Sequence, residues 1–510
     1  MKRFIFSLTF TIIFIFTLSA QPKREIRGVW FTVNYALDWP ENSLHTQSDI
    51  EKQKNDLDQM LDKLQNTGIN VVFFQTRLRG NVIYPSKIEP TCDYFNSMQS
   101  EFDPLAYAID ACHRRGMECH AWMVVYPVGD GSKTIIRKSV NKRGRKIIKK
   151  TSYAVPVPDR YRDMAKSYNG TLYLDPGNPK TTDYLVELIK ELVSGYDIDG
   201  VHFDYIRYPN GSGNFPDEDT YEQYGNGEDK ADWRRENINH FVYKAYDEIK
   251  SLKPWVQVSS SVVGMYDNLP DETRRHWTAF NSVYQDPADW LLKGKHDFIV
   301  PMMYYSDELF FPYVNDWMAR SNGRFVAPGL GLYQMDENEF GWEPGVLLQQ
   351  IRYSRDHQTQ GNVFFRARYL AENMKGIGDA IASRFYLTPA VLPALTWLSR
   401  SIPEAPKQIY AHKNNDSLSL DWDLVTSPPA PLHKERGAVF YNLYRSTTFP
   451  VDTDDPHNLI AARLEDNSFQ IPINNRIESG YYYVVTSYDR YHNESAASNP
   501  VYFVTGPFEK

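Results

Sequence analysis

Between Arg24 and Tyr386, short apolar runs alternate with stretches of helical period, and eight such runs read as strands. The strand candidates are Arg27–Val33, Asn70–Thr76, Glu118–Val125, Gly200–Asp204, Val256–Val263, Phe298–Tyr304, Arg324–Leu330 and Asn362–Ala367. Helical segments such as Ser48–Thr67, Pro104–Arg115, Thr181–Ser194, Asp232–Leu252, Asp286–Lys293 and Gly345–Gln358 lie between them. Strand–helix alternation implies parallel βαβ units. Eight of them predict an α/β fold, a (β/α)8 TIM barrel over residues 21–388 whose insertions carry it beyond the usual ~250 residues. An open doubly wound sheet is the alternative. It is weakened because no Gly-rich phosphate loop follows the first strand.

After Phe385 the pattern changes. Pro389, Pro393, Pro403 and Pro406 mark a linker over residues 389–403, with a short helical piece at Ala390–Ser399. From Glu404 to Lys510 the runs alternate at period two, as in Ser417–Trp422, Ala438–Arg445 and Gly480–Asp489. A small all-β sandwich is expected there. Its early Trp422, its Tyr-rich late strand and the closing Asn493–Ser498 resemble a fibronectin type III module. The linker and the switch in period mark a boundary, so the barrel is expected to fold without the sandwich.

Residues 1–20 read as a secretory signal. Lys2 and Arg3 precede an apolar run from Phe4 to Leu18, and Leu18-Ser19-Ala20 offers a cleavage point. An uncleaved anchor is the alternative. No Cys follows the run, which disfavours a lipid anchor, and no other stretch is apolar enough to span a bilayer. Export to the periplasm or cell exterior is the expectation. The net charge of −8, from 56 basic and 64 acidic residues, gives no case for nucleic-acid binding. The three cysteines, Cys92, Cys112 and Cys119, form neither a disulfide framework nor a metal-ligand pattern.

Polar and aromatic residues collect where the strand candidates end. Candidate substrate-binding residues are Trp30 on strand one, Gln75 and Arg77 on strand two, and His120 and Trp122 on strand three. His202, Arg207 and Tyr208 follow on strand four and its loop, and Tyr304 on strand six. A barrel converges its strand ends on one mouth, where active sites of this fold sit. Any one of these residues could instead pack or cap.

The densest cluster is Asp199–Pro209, in which a short apolar strand ends in Asp204, Arg207 and Tyr208. Glycoside hydrolysis commonly needs two carboxyl groups. Asp204 is the first candidate, with Arg207 and His202 expected to hold it ionised. Asp286, Asp307 and Glu308 are candidates for the second, and Asp286 could equally cap the helix that begins at Pro287. His120 and His202 lack a metal-ligand spacing, and no cofactor is expected. No Ser sits in a nucleophile elbow, which disfavours an esterase.

The long connection after strand three carries eight basic residues between Arg137 and Lys150, with a hairpin turn expected at Lys142–Arg145. Over a barrel mouth such a loop could draw in an anionic polymer, or it could be a solvated tip.

Together these stretches resemble the glycosyl hydrolase-like 10 family of exported bacterial proteins. The matching residues are Glu25–Trp30, Phe74–Arg77, Asp103–Ala106, His120–Trp122, Leu174–Pro179, Asp199–Pro209, Tyr284–Asp286 and Pro301–Tyr304. The resemblance implies a (β/α)8 barrel and glycoside hydrolysis of a polysaccharide. In at least one member the substrate is denuded peptidoglycan, glycan strands stripped of their stem peptides. The family often has Asn where this chain has Asp175, which argues against Asp175 as a required catalyst. Free lactyl carboxylates on such strands could be read by Arg77, Arg207 and the basic hairpin. A non-catalytic glycan-binding barrel and a surface adhesion protein are the rival readings.

Overall fold

A computed structural model describes residues 21–510, apart from 99, 141–145, 415–416, 426–439, 473–479 and 505–510. The expected signal segment and the hairpin turn therefore lie outside the described residues.

Eight strand positions close into a barrel. They are β1 (Ile26–Phe31), β2 (Val71–Arg77), β3 (Glu118–Val124), β4 (Gly200–Asp204), β5 (Gln257–Val263), β6 (Phe298–Met302), β7 in two pieces (Phe325–Val326 and Gly329–Gly331) and β8 (Gly361–Phe365). Each pairs in parallel with the next, and β8 pairs with β1. Both faces of each strand are covered, so β1 to β5 are buried along their whole length and read as near-continuous apolar runs.

Around the barrel lie α1 (Gln47–Thr67), α2 (Pro104–His113), α3 (Pro179–Gly195), α4 (Lys230–Leu252), α5 (Pro287–Leu292), α6 (Asp307–Ala319), α7 (Pro344–Asp356) and α8 (Ile377–Arg384). Their starts follow local chemistry. Thr46 and Asp49 form a capping box at α1, and Asp103, Asn178 and Asp286 cap α2, α3 and α5 just ahead of a proline. The helix α6 has Pro312 within it, which masks its period in the sequence.

Inside the barrel, glycines make room for large rings. A Cβ on Gly200 would lie 2.4 Å from the His120 ring, and one on Gly329 would lie 2.8 Å from the Trp30 indole. Trp30, Phe73, Trp122, Phe298 and Val363 fill the interior, so the barrel is a packed core.

The connection from β3 to α3 holds two small antiparallel sheets. One joins Pro127–Asp130, Thr171–Leu174 and Ala165–Tyr168, and the other is the hairpin Ser132–Val140 with Lys146–Ala154.

The C-terminal region forms two further antiparallel sheets. One has three strands (Ile409–Asn414, Ser417–Trp422, Ser468–Pro472), and the other has four (Leu459–Leu464, Phe440–Ser446, Gly480–Tyr488, Val501–Val504). The expected helix at Ala390–Ser399 does not form. Val391 instead pairs with Arg24 beside β1, and Leu392 and Leu395 are buried.

The sandwich docks on the lower end of the barrel, where the strands begin. Asp199, just before β4, takes Arg463 at 2.5 Å and His113 at 2.8 Å. Glu118, opening β3, takes His492 at 2.7 Å, His120 at 2.9 Å and Gln257 at 2.8 Å. Arg463 and His492 both belong to the sandwich, so buried charges cross this junction. Removing the sandwich would strip two buried carboxylates of these partners, which weighs against the expectation of an independent barrel.

Candidate active site

The upper end of the barrel has a different character. Asp204 ends β4 and is 6% exposed. One carboxyl oxygen accepts the Trp122 indole N–H at 3.2 Å, and the other accepts the Tyr205 backbone N–H at 2.7 Å. The Ser261 hydroxyl reaches the same group from β5. Arg207 stands off, with Nη1 3.8 Å from the carboxyl oxygen.

Burial is the largest influence on Asp204 and raises its pKa above the ordinary aspartate value, against the opposing pull of Arg207, Ser261, Tyr205 and Trp122. Arg207 pulls in the expected direction without outweighing burial, and His202 is not among the groups that act on Asp204. His202 engages other partners. Its Nε2 accepts the Trp30 indole N–H at 3.0 Å, and its Nδ1 lies 2.8 Å from the Ser259 hydroxyl. An indole only donates, so Nε2 carries no proton and Nδ1–H donates to Ser259. Burial holds this ring neutral, with its pKa well below the usual histidine value.

The loop after β4 is pinned by Tyr284-Gln285-Asp286. Gln285 donates to the Ile206 carbonyl at 3.0 Å and accepts the Val263 N–H at 3.1 Å. Tyr284 and Phe215 pack against Tyr208, whose ring is fully buried. Tyr205, held at φ 51, turns its ring out, and the Arg207 guanidinium lies 4.4 Å from that ring's centre. Trp277, from the long loop after β5, stands 5.8 Å from the same guanidinium.

The remaining candidates separate by place. Tyr304 is half-buried at the mouth beside Tyr333 and Phe365, and burial first, then Tyr333 and the Asp204 charge, raise its pKa. Trp30 and His202 lie in the barrel interior. Gln75 spends its carbonyl oxygen on the Val33 and Asn34 N–H groups and so shapes the β1 loop. Arg77 is fully buried and paired through two nitrogens with Glu89 at 2.6 and 2.7 Å, with further bonds to the Val124 and Val125 carbonyls, so it is committed within the protein. His120 lies at the lower end on Glu118. Tyr208 is a core residue.

Among the carboxylates, Asp286 caps α5 and accepts the Tyr266 hydroxyl at 2.9 Å. Asp307 accepts from Gln350 of α7 at 3.2 Å, and Glu308 is exposed on α6. Of the four carboxylates expected from the sequence, Asp204 alone is recorded within the cluster formed by Trp122, Ser261 and Arg207. Asp175 is buried under Thr220 and the Gly177 N–H, and burial pushes it up to about 6.

The exposed faces of Tyr205 and Trp277 were not singled out in the sequence. Tyr205 hides inside the Asp199–Pro209 cluster, and Trp277 sits far from any strand end. Among the described residues, no group of three or more His, Cys, Asp or Glu is placed to hold a metal ion.

The chain is thus a closed parallel barrel protein with a buried carboxyl group and aromatic faces at its strand ends. The chain belongs to the glycosyl hydrolase-like 10 family, whose model matches residues 25–328. It is 29% identical over 524 residues to the glycosyl hydrolase YngK of Bacillus subtilis (strain 168), covering 97% of each chain. It is 33% identical over 299 residues to the glycosyl hydrolase DigH of Escherichia coli (strain K12), covering 56% of this chain and 66% of that one. Solved structures of similar shape include the PgaB (BpsB) glycoside hydrolase domain from Bordetella bronchiseptica. It has 13% identity and a TM-score of 0.47, with 67% of this chain and 96% of that one covered. An endo-β-1,4-mannanase from Thermotoga petrophila has 9% identity and a TM-score of 0.44, with 97% and 100% covered.

Proposed function

We propose that the protein is an exported glycoside hydrolase that cuts O-glycosidic bonds of a polysaccharide, with Asp204 as the catalytic carboxyl group. The observation that carries this reading is the buried Asp204 at the C-terminal end of β4, its pKa raised by burial. A carboxyl group whose pKa is raised by burial is better placed than an exposed one to hand a proton to the leaving glycosidic oxygen. Trp122 and Ser261 position it, and Tyr304 borders it. Peptide-free peptidoglycan strands are the substrate that family resemblance and the basic loop favour. The signal-like residues 1–20 support export. The three- and four-stranded sheets at the C terminus support a fibronectin type III-like module.

Asp286 and Asp307 are engaged elsewhere, which favours one second reading, a glycan-binding barrel without turnover. Product analysis after incubation with peptide-free peptidoglycan and a panel of neutral and acidic polysaccharides separates the two. New reducing ends from the wild type, absent with Asp204→Asn, support hydrolysis. Binding without products from either protein supports the second reading.

A further inference from the structure

Among the described residues, Arg77, Arg79 and Arg366, at or just beneath the upper strand ends, are committed to fixed partners. Arg77 is locked on Glu89. Arg79 reaches Asp130, the Gly129 carbonyl and the Tyr35 hydroxyl. Arg366 pairs with Asp38 at 2.7 Å. Arg207 differs. Its side chain is 9% exposed, its Nη1 has no hydrogen-bond partner, and the nearest recorded carboxylate, Asp204, stays 3.8 Å away.

A buried guanidinium N–H without an acceptor is costly. A carboxylate is the acceptor whose geometry best matches a guanidinium. Beside Arg207 stand the exposed faces of Tyr205 and Trp277, 43% and 40% exposed, both close to the same guanidinium. Aromatic faces suit the apolar side of a sugar ring. The guanidinium that both rings flank stands beside Asp204.

We propose that Arg207 is a specificity-determining residue that receives a carboxylate borne by the sugar next to the bond cut, with Trp277 and Tyr205 packing on that sugar. This rests on the reading of Asp204 as the catalytic group. The chemistry is that of a sugar acid, met in the lactyl ether of a peptide-free muramoyl residue or in a uronic acid. Neutral glycans lack the group Arg207 is placed to bind.

The test uses the full chain and two glycans, peptide-free peptidoglycan strands and a polyuronate. Each is supplied with free carboxylates and in a form whose carboxyl groups are reduced to primary alcohols. Equilibrium binding to the Asp204→Asn protein and kcat/KM of the wild type are both measured. The charged form of at least one glycan is expected to win by about 10- to 100-fold, the worth of a charge-assisted hydrogen bond. The glycan that shows the preference identifies the source of the carboxylate.

Arg207→Gln is expected to erase that preference by weakening the charged form alone, and Arg207→Lys to keep part of it. Trp277→Ala is expected to weaken charged and reduced forms equally. Equal handling of both forms by the wild type, no binding of either glycan, or an equal loss on both forms in Arg207→Gln overturns the proposal. Should Arg207→Gln fail to fold, the wild-type preference and Arg207→Lys still decide. Turnover retained by Asp204→Asn would refute the catalytic reading, while the charge preference in binding would still judge Arg207.

Discussion

Asp199 and Asp204 bracket β4, both are buried, and their environments push them in opposite directions. At the lower end Asp199 holds Arg463 at 2.5 Å and His113 at 2.8 Å, and these charges draw its pKa far below the usual carboxylate range. At the upper end the nearby cation stops 3.8 Å short of Asp204, so burial wins and the pKa rises. A saturated carboxylate fastens structure. One left short of charge partners, with its pKa raised, is a candidate for chemistry. The arginines differ too: Arg463 meets Asp199 at 2.5 Å across the domain junction, while Arg207 stays 3.8 Å from Asp204 with a buried Nη1 that has no hydrogen-bond partner.

The contrast is broken most severely by removing the sandwich. A chain ending at residue 403 lacks Arg463 and His492 and uncovers Val391, Leu392 and Leu395. It is expected to aggregate or to melt well below the full chain. A soluble truncated barrel with an unchanged melting temperature would show that the lower end does not depend on the junction.

Acid should weaken the fold in two stages. Burial holds His202 and His296 neutral, and His296 falls to about 4 from its ordinary 6.5. The unfolded chain takes up these protons first, so stability should decline as the pH falls from 6.5 towards 4. Glu118 is held down to about 2 from 4.5, so its contribution is full above pH 4.5 and is lost as the pH falls through 2. Urea midpoints across this range check the sign. A flat profile would mean that these groups are not perturbed as described.

A smaller effect sharpens the upper end. Trp122→Phe keeps the ring and deletes the N–H that reaches Asp204 at 3.2 Å. That donor favours the ionised form, so its loss should raise the Asp204 pKa further and move the alkaline limb of the rate profile upward. The rate at the optimum should fall by roughly 10-fold with little change in stability. An unmoved limb would detach Trp122 from Asp204.

The barrel was legible because the period of the chain switches between strand and helix at intervals that Gly, Pro and capping residues mark. The helix α6 was missed since Pro312 interrupts it, and α8 is short. Strand-end position located Asp204, Trp122, Arg207 and Tyr304, yet it gave no information on partners. Glu89 claims Arg77, and Glu118 claims His120 at the opposite end. Such pairings are long-range and leave no periodic trace. The docking of Arg463 on Asp199 spans 264 positions, which explains why the linker prolines read as a free boundary.

The most direct measurement compares Asp204→Asn with Asp199→Asn, the same chemical change at the two ends of one strand. Turnover per folded molecule and unfolding free energy are determined for each. Asp204→Asn is expected to lose at least about 10²-fold in turnover with little loss of stability. Asp199→Asn is expected to lose about 3–5 kcal/mol, since Arg463 is left buried and unpaired, while its folded fraction keeps wild-type turnover. Turnover surviving in Asp204→Asn, or stability unchanged in Asp199→Asn, would contradict the division of the barrel into a reactive end and a fastened one.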